Sequence, residues 1–117
     1  MAEPPLSNDE LRMYAGKVII GKVTSVSREE VEVENGTNRV YTVQVDTIRE
    51  EGGFGLDLDP TMTITYWQAG DRPNGWTGSI GQFSPLPVDK EIRLYLGKKR
   101  EDGVWNLLEP NGWQAVE

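Results

Sequence analysis

Cysteine and histidine are both missing from this chain of 117 residues. Without cysteine there is no disulfide, no thiolate nucleophile and no thiolate metal ligand. Without histidine the commonest general base and the commonest metal ligand are gone as well. Ser-His triads and ordinary zinc sites are therefore excluded. The missing cysteine leaves the redox compartment open. Long apolar runs are absent too: none exceeds three residues, as in Val18-Ile19-Ile20, where a membrane span needs about 18. Basic residues are in short supply, 12 against 19 acidic, for a net charge of −7. A phosphate-backbone binder works by Lys and Arg, so this balance argues against nucleic acid and against anionic membrane surfaces. Lys98-Lys99-Arg100 reads as the solvated tip of a turn.

What is present is β pattern and turn chemistry. "MAEPPL" is a Pro-rich leader, residues 1–6, and it has no apolar signal core. "SNDELRMYAGK" reads as a short helix. Ser7 or Asn8 caps it, Asp9 and Glu10 suit its positive end, and Gly16 stops it. Leu11 and Tyr14 lie three apart, Leu6 serves as a staple, and together they are expected to plug one end of the core. Strands are expected near 17–27, 38–49, 61–68, 91–98 and 104–109, with an optional sixth at 113–116. The first is apolar on both faces near its start, and Gly21 inside it signals a bend or bulge. Asn35-Gly36 is a hairpin turn signal, and Asp102-Gly103 and Asn111-Gly112 are further turns. Residues 50–60, "EEGGFGLDLDP", read as loop. Parity sends Met62, Ile64, Tyr66, Ile92, Leu94 and Leu96 inward and Thr65, Trp67, Arg93 and Tyr95 outward.

Short strands without interleaved helices mean a sandwich or a barrel. Five strands with a curled, Gly-bearing first strand fit best an all-β, five-stranded OB-like Greek-key barrel with a short N-terminal helix. Residues 7–117 then form one domain, and the long irregular connection between strands three and four crosses an end of the barrel. Val18-Ile19-Ile20-Gly21-Lys22-Val23, Tyr41-Thr42-Val43-Gln44-Val45, and Pro87-Val88-Asp89 with Leu94 and Leu96 are similar to a family pattern of "V-x-G-x-V", "Y-T-x-x-V" and "P-V-G-x-x-x-L-x-L", with Ile19 in place of its first valine and Asp89 in place of its glycine. In these stretches the chain resembles exported bacterial domains with OB-fold or netrin-like barrels. The resemblance implies a periplasmic or secreted setting. Netrin-like inhibition of metalloproteases uses an N-terminal cysteine, which this chain lacks, so that activity is not implied.

The segment "YWQAGDRPNGWTGSIGQFSPLPVDK", residues 66–90, holds four Gly, three Pro, two Trp and one Phe. A connection of this length without regular structure is usually functional or disordered. Two readings stand for its aromatics. Trp67, Trp76, Phe83 and Tyr95 form a stacking platform for a protein or glycan partner; or residues 69–89 fold back and their rings make a second small core. Burial of large side chains in a domain this small favours the second. Asp57 and Asp59, with Asp46 and Asp71, are oxygen donors without the spacing of a calcium loop, and no metal or cofactor is expected. Gly70, Gly75, Gly78 and Gly81 make no phosphate loop. Glu29, Glu30, Glu32 and Glu34 read as a solvated hairpin face. The expected function is a non-catalytic binding or interaction module. A single-stranded nucleic-acid binder and a structural or assembly domain are the alternatives.

Overall fold

The structure, a computed structural model, describes residues 5–34, 36–53, 60–72, 81, 82 and 84–116. One helix and six strands follow in order: α1 (Asn8–Tyr14), β1 (Lys17–Val33), β2 (Gly36–Gly53), β3 (Thr61–Ala69), β4 (Glu91–Lys99), β5 (Trp105–Leu107) and β6 (Trp113–Ala115). Five of the strands close on themselves in the order β1-β2-β3-β5-β4, because β4 returns to pair with β1. All neighbours are antiparallel except β3 and β5, which run parallel through Ile64–Trp105 and Thr65–Asn106. The far edge of β4 is shared: β6 takes Ile92–Leu94, and β5 meets it at Leu96 and Lys99.

Alternation explains the closure. Ile19, Val23, Val43, Val45, Met62, Ile64, Ile92, Leu94 and Leu96 all turn inward and fill one core, which for Met62, Ile64, Ile92, Leu94 and Leu96 is the parity expected. Tyr41 and Tyr66 stack within it at 4.7 Å between ring centroids. Three register shifts curl the β1–β2 hairpin around this core. They leave Glu51, Ile48 and Thr24 as the extra residues, and two of them flank Gly21, where the sequence predicts a bend. Asn35 lies outside the described residues; Val33 pairs with Gly36 on either side of it. Residues 50–53, expected as loop, continue β2, because β1 supplies partners as far as Gly53.

The described residues of the connection from β3 to β4 meet the sheet at three places. Gly81 bridges Gln68 on the free edge of β3. Leu86 drops into the core and donates its N–H to the Tyr66 hydroxyl at 3.1 Å. Val88 then bridges Val23 of β1. Helix α1 does not plug an end. It lies on the outer face of β1 and β4, where Leu11, Val18 and Tyr95 make a second small cluster with Leu6 packed against it. Tyr14 takes no part and is 57% exposed. No described helix is long and apolar enough to cross a membrane.

Candidate functional site

The outer face of β2 and β3 carries two rows of side chains, set by cross-strand register. Ser27, Thr42, Thr65 and Asn106 make the first row, across β1, β2, β3 and β5. Glu29, Val40 and Trp67 make the second. A groove of about 450 Å³ opens here, lined by Asn38, Val40, Thr65, Tyr66, Trp67, Asn106, Leu107 and Glu109. That volume is within the usual range of small-molecule sites, about 300–1,000 Å³. Among the described residues the lining holds one carboxylate and neither Lys nor Arg.

Trp67 is half-buried, and its indole Nε1 donates to the Glu109 carboxylate. That bond fixes the ring in the groove wall. On its other side the chain passes so close at Gly81, at φ 75°, that a Cβ there would lie 2.2 Å from the Trp67 carbonyl oxygen. Only glycine fits both the backbone angle and the gap. Next to it Gln82, 2% exposed, ties three segments together. Its N–H donates to the Trp67 carbonyl at 2.8 Å. Its side-chain amide donates to the Leu108 carbonyl and accepts from the Gly112 N–H. Trp67 is thus held by its strand, by residues 81–82 and by Glu109. The Thr65 hydroxyl donates to the Tyr41 carbonyl, and the Asn38 side-chain oxygen accepts from Arg72. Asn106 is exposed, and its side chain makes no hydrogen bond among the described residues.

Of the two expected ligand residues that are described, Trp67 and Tyr95, the groove contains Trp67. Tyr95 does point away from the main core, as parity predicts, but the platform reading fails there. α1 covers that face, and Tyr95 is 1% exposed, with its hydroxyl donating to Gln114 at 3.1 Å. In the sheet β5 separates its strand from that of Trp67. Trp76 and Phe83 lie outside the described residues, as do Asp57, Asp59, Gly75 and Gly78. Trp105 and Trp113 are half-buried and pack on the core. Asn38, Asn106 and Glu109 were not singled out by sequence reasoning. Asn106 had a signal, since it alternates between Trp105 and Leu107; nothing in the sequence links Glu109 to Trp67.

Two acids are perturbed, Tyr66 in the groove lining and Glu51 away from it. Burial pushes the Tyr66 phenol up, against the opposing effect of the Leu86 N–H it accepts. The Arg93 guanidinium, with Arg49 and Arg12 beside it, holds the Glu51 carboxyl below its ordinary value despite some burial. Of the two, Tyr66 lines the groove and Glu51 does not, and what the described lining offers is stacking and hydrogen bonding. Among the described residues no three acidic side chains gather as metal ligands. No family model matches the chain, and no curated protein or solved structure is significantly similar to it.

Proposed function

We propose that this protein is a non-catalytic binding module of OB-like architecture whose groove at Trp67 takes a neutral glycan. The observation that carries the reading is a tryptophan immobilised in a groove whose described lining has amide and hydroxyl groups and neither Lys nor Arg, the Arg72 guanidinium being engaged by Asn38. A sugar ring offers an apolar face for stacking and hydroxyls for Asn38, Thr65 and Asn106. Immobilising the ring beforehand lowers the entropic cost of binding. The closed order of five strands supports the OB-like reading, and OB proteins bind oligosaccharides and oligonucleotides on the face of their second and third strands. Between those two ligands, the described lining without Lys or Arg and the net charge of −7 favour the sugar. The exported setting implied by the family resemblance agrees with a glycan ligand.

The test uses Asn106→Ala, because an exposed strand residue changes stability by no more than about 0.5 kcal/mol. A panel of neutral oligosaccharides is titrated against the protein and followed by amide chemical shifts. Shifts centred on Thr65, Trp67 and Asn106, and about tenfold weaker binding in Asn106→Ala at an unchanged melting temperature, are expected, since one hydrogen bond is worth about 1 kcal/mol or more. Silence across the panel together with salt-dependent shifts from an oligothymidylate would transfer the site to single-stranded nucleic acid.

A further inference from the structure

β1 continues well past the body it closes. β4 pairs with it only over Lys17–Lys22, and Val23 meets Val88 in a single bridge. From residue 24 to residue 33 its one neighbour is β2, and its other edge has no backbone partner among the described residues. All ten residues are exposed. In an antiparallel ladder about half of the residues of such an edge turn both N–H and C=O outward. Natural edges are usually short, covered or paired, because an open one is a template for another strand. This one is about 33 Å long at 3.3 Å per residue, and it carries exposed valines at 26, 31 and 33.

Its charge is one-sided. Residues 24–34 hold four glutamates (Glu29, Glu30, Glu32 and Glu34) against one arginine, Arg28. Among the described residues none of the four forms an ion pair. Arg39, opposite Glu30 on β2, instead donates to the Ala69 carbonyl at 3.2 Å. Side chains alternate faces, so Glu29 lies on one side of the strand and Glu30 and Glu32 on the other. A second copy of this chain suits the edge poorly. Any antiparallel self-pairing centred from residue 29 to residue 31 sets glutamate opposite glutamate, which is destabilising.

We infer that residues 24–33 of β1 accept an extended, basic peptide segment of a partner protein as an added strand. Main-chain hydrogen bonds along the open edge supply the affinity, and lysines or arginines at alternate positions of the incoming strand meet Glu30 and Glu32 on one face, while its intervening residues face Val31 and Val33 on the other. The valines give its β-branched residues a surface to pack on. This site uses β1, none of whose residues is in the described lining of the glycan groove.

The probes are three synthetic peptides: one alternating Lys and Val, one alternating Glu and Val, and the Lys/Val peptide with its central valine replaced by proline. Amide hydrogen exchange and chemical shifts of the intact protein are read. The Lys/Val peptide is expected to slow exchange at residues 24–33 at least tenfold, with affinity falling as salt rises. The proline peptide, of equal charge, is expected to lose most of that protection because it cannot continue a ladder. The double variant E30K/E32K is expected to reverse the preference toward the Glu/Val peptide. Equal effects from the Lys/Val and proline peptides would reduce the attraction to net charge and overturn the inference. So would unchanged exchange at 24–33 at millimolar peptide, or concentration-dependent self-protection of that edge without peptide.

Discussion

Gly21 sits where β1 bends over the core, and the space a side chain would need there is taken. A Cβ on it would lie 2.5 Å from Val45 Cγ1 and 3.0 Å from the Asp46 carbonyl oxygen. Val45 is fully buried, so it cannot move aside without disturbing its neighbours. Gly21→Ala is therefore expected to destabilise by about 1–3 kcal/mol, the usual range for overpacking a filled core. The gain from a stiffer unfolded chain, about 0.4–1 kcal/mol, offsets only part of it. Val45→Ala alone should cost about 2–4 kcal/mol by leaving a cavity. The double variant should cost at least about 1 kcal/mol less than the sum, since each change makes room for the other. Denaturant titration of the four proteins measures this, and strict additivity would show that the two positions do not compete for space. The bend was legible in the sequence because a lone glycine in a strand has few other uses. The side-chain parity of β3 and β4 was legible for the same local reason. The burial of Tyr95 was not, since parity says which face a residue occupies and nothing about what lands on it.

At the scale of one element, α1 shows where local pattern stops. Its seven residues are too few to be stable alone in water. Ser7 and Glu10 cap it reciprocally, Glu10 N–H to Ser7 Oγ and Ser7 N–H to Glu10 Oε1, both at 3.1 Å. Those residues lie three apart in sequence, so the helix and its start could be read from it. Its seat could not. Leu6, at the end of the expected leader, exchanges two hydrogen bonds with the Asn111 side chain, each 2.9 Å, across 105 residues. Gln114 reaches Asn8 from the same segment. The two ends of the described chain thus clasp the helix onto β1 and β4. Asn111→Ala removes both Leu6 bonds, at about 1–3 kcal/mol in all. Exchange of the Ala15 amide, which donates to the Leu11 carbonyl at 3.0 Å, should speed up about tenfold or more. Amides of Val43 and Ile64 in the core should change only by the global loss. An equal change at all sites would mean that helix and closed sheet open together and that the clasp is no separate latch.

Across the whole molecule, a net charge of −7 coexists with one local gathering of positive charge. The register shift between Val18 and Ile19 makes Glu51 the extra residue of β2, and a bulge re-aims the side chain it carries. Its carboxylate meets Arg93 of β4 at 2.5 Å, Arg49 of its own strand at 3.6 Å and Arg12 of α1 at 3.9 Å. Ile20 of β1 is the cross-strand neighbour of both Arg49 and Arg93. One acid therefore links the helix to both sheet neighbours of β1. Strand alternation made the closed sheet legible, but no sequence pattern marks which residue a bulge will expel, so this junction was invisible beforehand. The folded-state pKa of Glu51 lies below its unfolded value, first through the Arg93 hydrogen bond. Such a group contributes stability that is fully present above the ordinary carboxylate range and is lost as pH falls through the depressed value. The stability difference between the native protein and Glu51→Gln should therefore be largest at neutral pH and shrink to nothing in strong acid. Added salt should reduce it only in part. Arg12 and Arg49 are about half exposed and are screened, whereas Arg93 is 24% exposed and binds through both carboxylate oxygens. Glu32→Gln, in the solvated arm, should leave neutral-pH stability within about 0.5 kcal/mol of the native value. Denaturant midpoints between pH 3 and pH 7 decide the matter: a Glu51→Gln curve parallel to the native one would remove this junction as a source of acid sensitivity and leave it to the net charge as a whole.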